Sequence, residues 1–327
     1  MYFQTLLVSS FFILSSALNA TTIDQKWHHF QHFIERFGKN YITLDEFEHR
    51  FDIFKDNIDY IQEVNSQGHS YELGITLFAD MTQSEYSLYN NLGKRPLTIK
   101  QCESFKSSSS NIATSWDWRE HNAVSSVKDQ GQCGSCWSFS ACGAMEGAWA
   151  ISSGDLVNLS EQQLVDCARS YGNMGCHGGL MDNAFMFAID NGMCLDEDYP
   201  YQAKGGTCQE CNKVVSMSDC VDVTPNNQID LKEAVSMNPV SVAIEADTRV
   251  FQLYSSGVLG SNDCGTNLDH GVLTVGYGSE SGIDYWLVKN SWGPSWGEDG
   301  YIKIERSSST NDPGICGIAM EPSYPVV

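Results

Sequence analysis

The sequence predicts an α+β protein in two parts: a helical N-terminal segment, then a larger part that mixes helices and strands. Three observations point to this class. Residues 21 to about 99 are rich in charge and helical periodicity and contain no cysteine, a polar serine run follows at 106–111, and cysteine, glycine and tryptophan become frequent from about residue 112. A polar run of low complexity is typical of an exposed linker. The composition, 42% hydrophobic and 18% charged, is that of a globular protein.

The charge of the chain limits its function. The 327 residues include 41 acidic and 19 basic side chains, a net charge of -22. Nucleic-acid phosphates would be repelled by this excess, so nucleic-acid binding is excluded. The more balanced N-terminal part suits a segment that packs on the acidic remainder of the chain.

The first 20 residues read as a secretory signal peptide. An apolar run from Leu6 to Leu14 precedes small residues at Ala17 and Ala20, where we expect cleavage, although no Lys or Arg precedes the run. A membrane anchor is the weaker alternative, because the run is short and no second one follows. The oxidising secretory pathway predicts that most of the 12 cysteines are paired. The destination, lysosome or vacuole against the extracellular medium, stays open.

One helix of the N-terminal part carries a regular stripe. Six residues recur at spacings of 4, 4, 3, 4 and 4, which places them along one face of an α-helix. They are Glu46, Arg50, Phe54, Asn57, Ile61 and Asn65. We expect Glu46 and Arg50 to pair, and Phe54 and Ile61 to form an apolar seam. An ordinary amphipathic helix would explain the spacing, but all six residue identities also match the ERFNIN pattern of protease prosegments.

Two cysteines three residues apart, in Cys133-Gly134-Ser135-Cys136, permit three interpretations: a zinc site, a redox pair, or a nucleophile beside a structural thiol. A zinc site needs further ligands, which a second pair, Cys208 and Cys211, could supply. A redox pair needs a preceding parallel-strand pattern that is missing here. Helix-compatible residues follow the glycine-rich turn, so Cys136 falls in the first turn of a helix, where the dipole favours a thiolate.

Two downstream motifs complete this chemistry. His270 begins a strand-like run, and Asn290 stands in Lys-Asn-Ser-Trp. A lone histidine or a lone Asn-Ser-Trp run is usually structural. Their joint order with Gln130 and Cys136 favours a nucleophile with its base and an orienting amide.

With these motifs the chain resembles the precursors of papain-family cysteine proteases, on the cathepsin L-like branch. The resemblance implies an α+β papain-like fold of two domains, a helical left domain and a β-barrel-like right domain, with a cleft between them. It implies a signal peptide at 1–20, an inhibitory prosegment at 21–111 with its main helix at about 46–65, and a mature peptidase domain at 112–327. The stretch 74–80 resembles a second prosegment motif, with Thr76 where asparagine is usual.

The resemblance also implies the role of each catalytic residue. Cys136 is the nucleophile, His270 its ion-pair partner and general base, and Asn290 the group that orients the imidazole. Trp292 shields the hydrogen bond between His270 and Asn290. Gln130 and the backbone N–H of Cys136 form the oxyanion hole. Neither metal nor cofactor is implied, and the prosegment is expected to block the cleft until acidic pH releases it.

Disulfide pairing follows the resemblance for half of the cysteines: Cys133 with Cys176, Cys167 with Cys208, and Cys264 with Cys316. Cys194 is left unassigned. A fourth bridge between Cys211 and Cys220 is an open alternative. Cys142 is expected to be a buried small hydrophobe, and Cys102 is expected to pair transiently or not at all.

Substrate binding is likewise implied by the resemblance. The glycines form an edge where substrate backbone pairs as a strand, and the S2 pocket is apolar, which favours Leu, Phe or Val at P2. The implied substrate-binding residues are Gly178, Gly179, Leu180, Met181, Ala243, Leu268, Asp269, Gly271, Trp292 and Glu321. Glu321 either faces solvent or lies at the pocket floor, where it would accept a P2 Arg. No insert resembling an occluding loop is visible, which favours an endopeptidase.

Other features allow alternatives. Asn158-Leu159-Ser160 is a glycosylation sequon, although Ser160 could instead cap a helix with Gln163 completing a capping box. The expected partners are protein or peptide substrates, the chain's own prosegment, and inhibitors of the cystatin type, with no membrane and a monomeric state. A catalytically inactive binding protein and a structural disulfide-rich module are the competing classes.

Overall fold

The computed structural model describes residues 22–88, 102–108, 112–260 and 263–327. The predicted signal peptide at 1–20 lies outside these residues. Within the described ranges, no helix combines the length and the apolar character needed to cross a membrane.

The N-terminal part is mainly helical, as predicted. Its elements are α1 (Ile23–Phe37), α2 (Leu44–Asn65), β1 (Tyr71–Leu73), α3 (Gln83–Ser87) and, after a gap in the description, β2 (Glu103–Ser104). Helix α1 begins with a capping box between Thr22 and Gln25 and ends at Gly38, whose φ of 60° closes the helix. Phe30 and Phe33 of α1 pack on Phe54 of α2 at ring-centroid distances of 5.1 Å, so an aromatic core holds the two helices together.

The larger part combines helices with a long sheet. Its helices are α4 (Cys136–Ser153), α5 (Glu161–Cys167), α6 (Met181–Asn191), α7 (Gln228–Met237) and α8 (Arg249–Leu253), with 3-10 turns at Trp118–His121, Ala168–Tyr171 and Ile315–Gly317. Its strands are β3 (Trp116–Asp117), β4 (Met193–Cys194), β5 (Lys213–Val215), β6 (Asp219–Asp222), β7 (Val240–Ile244), β8 (Tyr254–Leu259), β9 (His270–Glu280), β10 (Ile283–Lys289), β11 (Tyr301–Glu305) and β12 (Ser323–Val326).

Helix α4 is the central helix, and small residues let the sheet approach it. A Cβ at Gly143 would lie 2.7 Å from Cδ2 of Leu273, and one at Gly147 would lie 2.5 Å from Cγ of Pro239. Ser140 donates a hydrogen bond to the Val272 carbonyl at 2.7 Å. These contacts fix the N-terminal end of α4 against β9, which begins at His270.

The main sheet is open rather than closed. Its strand order is β1-β8-β11-β10-β9-β7-β12-β6-β2, with β3 paired to β9, while β4 and β5 form a separate pair. The two end strands, β1 and β2, do not pair with each other among the described strands, so the expected barrel-like domain is not a closed barrel. Both end strands come from the N-terminal part, which therefore covers both edges of the sheet.

The cysteines form five disulfides among the described residues. Three are the bridges that the resemblance implied, Cys133–Cys176, Cys167–Cys208 and Cys264–Cys316. The suggested bridge between Cys211 and Cys220 is wrong: the other two bridges are Cys102–Cys220 and Cys194–Cys211. The expectation that Cys102 pairs transiently or not at all is therefore also wrong. The pairing of β4 with β5 brings Cys194 towards Cys211, and the pairing of β2 with β6 brings Cys102 towards Cys220. The spacing of the cysteines along the chain reveals neither strand pairing.

Candidate active site

Cys136 is the first residue of α4, and its thiol is fully buried. Gly271 of β9 lies against it: a Cβ at that glycine would be 3.3 Å from the backbone N and Cα of Trp137. A larger residue would push β9 away from α4. The absence of a side chain thus brings His270, the neighbouring residue, to the N-terminus of the helix that carries Cys136.

The hydrogen bonds around Asn290 fix the tautomer of His270. Oδ1 of Asn290 accepts the backbone N–H of Ser291 at 2.8 Å and lies 2.8 Å from Nε2 of His270. Since this oxygen only accepts, Nε2 must carry the hydrogen, and the lone pair of the neutral ring is on Nδ1. Nδ1 is buried and has no hydrogen-bond partner within the described part of the chain. The ring of Trp292 stacks on the imidazole at 4.6 Å and covers the bond.

The side chain of Gln130 is held at both ends. Its Oε1 accepts the Ser291 hydroxyl at 2.6 Å, and its Nε2 donates to the Cys133 carbonyl at 3.0 Å. The backbone N–H of Gln130 donates to the Ser291 carbonyl at 2.9 Å. A carboxamide nitrogen carries two hydrogens, so one remains for an oxygen near Cys136. Ser291, which sequence reasoning did not single out, contacts both Gln130 and Asn290.

Burial sets the electrostatics of the pair. It raises the pKa of the Cys136 thiol to about 12, although backbone N–H groups of Gly271 and Trp137 oppose the shift. Burial lowers the pKa of His270 to about 4, although the hydrogen bond with Asn290 opposes it. Both shifts favour the neutral thiol and neutral imidazole. The ion pair implied by the resemblance is therefore not the state that this closed form favours.

Two aromatic rings of the N-terminal part add to the cover over the catalytic pair. Phe78 and Tyr86, both fully buried, pack edge-on against Trp292 at ring-centroid distances of 5.2 and 5.7 Å. The Tyr86 hydroxyl donates to the Ala246 carbonyl at 2.8 Å. Two aromatic rings of the N-terminal part thus cover the tryptophan that covers His270.

Backbone contacts anchor this cover. Thr76 donates to the Gln252 carbonyl at 2.8 Å, and Nε2 of Gln252 donates back to the Phe78 carbonyl at 2.8 Å. Arg249 donates to Oδ1 of Asn57 at 3.0 Å. The threonine that departs from the usual motif is itself a buried anchoring residue.

The predicted pair of Glu46 and Arg50 is wrong. Arg50 forms an ion pair with Glu85 at 2.9 Å and donates to the Asp80 carbonyl at 3.0 Å. Glu46 instead accepts the backbone N–H of Ile42 at 2.9 Å. Arg50 therefore links α2 to the segment before and within α3, because the fold supplies a partner 35 residues away.

A pocket of about 140 Å³ contains three of the residues assigned to S2: Leu180, Met181 and Glu321. Asp182 and Asp222 line the same pocket, and sequence reasoning named neither. Burial raises the pKa of Asp222 to about 7, and the negative charge of Asp182 adds to the shift. Asp182 could have been predicted to line the pocket, because it follows Met181 in the sequence. Nothing in the sequence places Asp222 of β6 in the pocket.

The other proposed S2 residues lie beside this pocket. Ala243 is paired with Gly271 between β7 and β9, and a Cβ on Gly271 would be 3.2 Å from Sδ of Met181. A Cβ on Gly317 would be 2.8 Å from Leu268 and 3.0 Å from Met320, a pocket-lining residue.

The side chain of Asp269 binds the backbone just after the end of β7. Its carboxylate accepts the backbone N–H groups of Ala246 at 2.8 Å and Asp247 at 3.2 Å. Burial raises the pKa of this carboxyl to about 8, although these bonds oppose the shift.

Backbone conformation and close packing explain why glycine occupies both positions of the predicted substrate edge. Gly178 has a φ of 102°, a conformation that side chains disfavour. A Cβ on Gly179 would be 2.6 Å from Oδ1 of Asn173 and 2.7 Å from the Trp137 indole. Close packing therefore requires glycine at 179 even without a substrate.

The disulfides remove the zinc and redox interpretations of Cys133. Cys133, Cys208 and Cys211 belong to three different bridges, so they form no shared thiolate site. Within the described residues, one group of metal-binding types does meet, Cys102 with Asp182 and Asp222. The sulfur of Cys102 is bonded to Cys220 and is not a thiolate.

The sequon residue Asn158 is exposed. Ser160 caps α5 by accepting the backbone N–H of Gln163 at 3.0 Å. The capping box suggested by the sequence is not completed, because the Gln163 side chain donates to Gly192 and accepts from Cys194.

Buried Cys136 at a helix N-terminus, a histidine whose tautomer an amide fixes, and a covering N-terminal segment together indicate a cysteine protease precursor. Comparison with known proteins agrees. Residues 112–326 match the family model "Papain family cysteine protease", and residues 30–86 match "Cathepsin propeptide inhibitor domain (I29)". The chain belongs to the papain family of cysteine proteases, and its N-terminal part is the inhibitory propeptide of a zymogen.

Several relatives are plant proteases. "Probable cysteine protease RD21B" of Arabidopsis thaliana is 52% identical over 289 residues, which cover 86% of this chain but only 61% of that protein. "Cysteine proteinase COT44" of Brassica napus is 47% identical over 86% of this chain and 90% of its own length. Among solved structures, procathepsin L 3 of Tenebrio molitor larval midgut aligns with a TM-score of 0.85 at 41% identity, covering 92% of this chain and 99% of that one.

Proposed function

We propose that this protein is a cysteine endopeptidase in which Cys136 is the nucleophile and His270 the general base and acid. The observation that carries the proposal is the fixed tautomer: Asn290 holds the hydrogen on Nε2, which leaves Nδ1 of His270 as a proton acceptor. Nδ1 takes the thiol proton, and the thiolate attacks the peptide carbonyl. The protonated ring then gives its proton to the leaving amine, and water hydrolyses the acyl-enzyme.

The oxyanion of the tetrahedral intermediate is stabilised by two donors. One is the backbone N–H of Cys136 at the start of α4, where the helix dipole adds to the attraction. The other is the remaining N–H of Gln130, whose carboxamide is held by Ser291 and the Cys133 carbonyl. Because this donor is already positioned, it costs no reorganisation when the charge develops.

Removal of the prosegment switches this chemistry on. Once Phe78 and Tyr86 leave Trp292, water reaches the catalytic pair and stabilises charges that burial disfavours. The thiolate and imidazolium then form readily, so the ion pair is a property of the open enzyme. Acidic pH promotes the opening, because carboxylates that pair within the prosegment lose their partners on protonation.

The preferred P2 side chain is apolar, and a basic side chain is also accepted. Leu180 and Met181 give the pocket an apolar wall, while Glu321, Asp182 and Asp222 provide carboxylates. Asp222 is protonated well below pH 7 and ionised above it. The ratio of kcat/KM for a P2 Arg peptide to that for a P2 Leu peptide therefore rises as the pH passes through about 7.

The disulfides and the family are the basis for inferring the compartment, the glycan and the partners. Five bridges indicate an oxidising compartment, so we infer passage through the secretory pathway to a lysosome, a vacuole or the medium. Asn158 is a glycan acceptor there. The mature enzyme acts as a monomer on proteins or peptides, and inhibitors of the cystatin type bind its cleft.

The test is hydrolysis of two fluorogenic peptides, with P2 Leu or P2 Arg, by acid-activated protein. Cys136→Ser should abolish cleavage of both peptides. Cys142→Ser is the matched control, because Cys142 is a second buried free thiol on the same helix and should be dispensable. Cleavage that survives Cys136→Ser would contradict the proposed nucleophile.

The pocket assignment has its own controls. Glu321→Ala should reduce cleavage of the P2 Arg peptide and spare that of the P2 Leu peptide. Asp222→Asn should remove the rise of the Arg-to-Leu ratio near pH 7. Equal turnover of the P2 Arg peptide by parent and both variants would show that the carboxylates do not contact P2.

A further inference from the structure

A disulfide joins the propeptide side of the chain to the catalytic domain. Cys102 lies after the propeptide match, which ends at residue 86, and before the protease match, which begins at residue 112. Its partner, Cys220, belongs to β6 of the catalytic domain, 118 residues further along the chain. Both cysteines are buried, with exposures of 8% and 0%.

Residues 102–108, which we call the strap, are also bound by hydrogen bonds. Strand β2 pairs in parallel with β6, Glu103 opposite Val221 and Ser104 opposite Asp222. The backbone N–H of Phe105 donates to the Asp222 carbonyl at 2.9 Å. The strap therefore adds an edge strand directly beside Asp222, one of the carboxylates of the specificity pocket.

The end of the strap is held by one glutamate of α7. Glu233 accepts the hydroxyl of Ser107 at 2.7 Å and the backbone N–H of Ser108 at 2.7 Å. Burial raises the pKa of Glu233, but these bonds outweigh it and leave the pKa below its usual value. The lowered pKa favours the ionised carboxylate, which is the form that accepts these bonds.

We propose that the strap remains attached to the catalytic domain through Cys102–Cys220 after the precursor is cut, as a disulfide-linked peptide of the mature enzyme. A cut between the strap and residue 112 breaks the backbone but leaves the sulfur–sulfur bond. Until a second cut falls before Cys102, that bond also tethers the inhibitory helices. A tethered inhibitor acts at an effective concentration of the order of millimolar, so the first cut alone does not free the cleft.

Release of the strap requires a thiol reductant. One thiolate attacks a sulfur of the bridge and forms a mixed disulfide, and a second thiolate displaces it. Cys102 and Cys220 each become a thiol, while two reductant thiols are oxidised to one disulfide. Because both sulfurs are buried, small thiols such as glutathione should react slowly as long as the strap is docked.

The first experiment tests the tether without using the activity of the enzyme. The full-length Cys136→Ser precursor is cut by limited trypsin digestion, for which Lys106 is an exposed site. On a denaturing gel without reductant, the propeptide and catalytic parts should migrate together, and with reductant they should separate. The double variant Cys102→Ser/Cys220→Ser should separate in both lanes. Separation of the parent without reductant, with no peptide containing Cys102 bound to the catalytic part by mass spectrometry, would overturn the proposal; a cut at Lys94 or Lys100 leaves that peptide attached.

The second experiment tests retention in the mature enzyme. Acid-activated parent is alkylated, and its intact mass is measured before and after reduction. We expect loss of a peptide containing Cys102 on reduction, whereas the bridge Cys194–Cys211, internal to the catalytic domain, adds only two hydrogens. A non-reduced mass without any attached peptide would refute retention.

A bridged Cys102–Cys220 peptide in a non-reducing digest of the mature parent would support the proposal even if the double variant fails to fold. Because the trypsin cut needs no catalysis by the protein, an inactive enzyme and an absent tether give different results.

Discussion

Phe78→Ala should open the precursor, and the size of the effect can be worked out from its contacts. Truncating a fully buried phenylalanine costs about 3 to 5 kcal/mol. Phe78 packs on Tyr86 within the propeptide at 5.1 Å and on Trp292 of the catalytic domain at 5.2 Å. Of these two contacts, the second is lost when the propeptide lifts as a unit. Roughly half of the cost, about 1.5 to 2.5 kcal/mol, therefore weakens the closed state, which corresponds to about 10- to 70-fold more open protein.

The open fraction can be measured by alkylation of Cys136 in the intact precursor at neutral pH. Iodoacetamide reacts with the thiol only when the propeptide lifts, and the reaction inactivates the protein, so the chain is not cut. The labelling rate, followed by mass spectrometry of the Cys136 peptide, should rise about 10- to 70-fold in Phe78→Ala. Cys142, buried on the same helix, should stay unlabelled unless the whole domain unfolds.

A matched substitution separates docking from propeptide stability. Phe37 packs on Phe33 at 5.3 Å within α1, so Phe37→Ala weakens the propeptide core without removing a ring from Trp292. We expect its labelling rate to change much less than that of Phe78→Ala. Equal rates for parent and Phe78→Ala, or equal increases in both variants, would refute the idea that the contact with Trp292 holds the cover closed.

Two further sites give sharp expectations. Gln130→Ala should lower the kcat of the mature enzyme about 100- to 1,000-fold with little change in KM; Ser291→Ala should lower it less, and the double variant should equal Gln130→Ala because Ser291 acts through that amide. Glu85→Gln should shift activation of the precursor to higher pH. Burial raises the pKa of Glu85, but hydrogen bonds from Arg50 and Thr82 outweigh it, so the pKa falls below 4.5. The ionised carboxylate of Glu85 stabilises the closed precursor fully above pH 4.5, and this stabilisation is lost as the pH falls through the lowered pKa. Glutamine lacks it at every pH. An unchanged activation midpoint would therefore contradict this expectation.

The sequence predicted those features that depend on short motifs. The propeptide stripe falls on α2, Cys136 begins α4, and His270 begins β9, because a helix period, a glycine-rich turn and an apolar strand are local patterns. Arg50 was paired wrongly because its partner, Glu85 of α3, lies 35 residues further along the chain.

Long-range placement could not be predicted from the same patterns. The pairing of Cys220 and the entry of Asp222 into the pocket both depend on β6, which β2 and β12 flank in the sheet. Strand order is a property of the whole sheet, and neighbours in space here are separated by about a hundred residues along the chain. Closeness in sequence therefore suggested Cys211 for Cys220, while the fold supplied Cys102.

The cover formed by Phe78 and Tyr86 inhibits in two ways that share one cause. A propeptide that only occupied the cleft would exclude substrate yet leave a charged, reactive thiolate that small electrophiles could still attack. Burial of Cys136 and His270 also raises the pKa of the thiol and lowers that of the imidazole, which disfavours proton transfer between them. The closed state therefore disfavours the thiolate, and we expect that breaking the contact with Trp292 removes this inhibition.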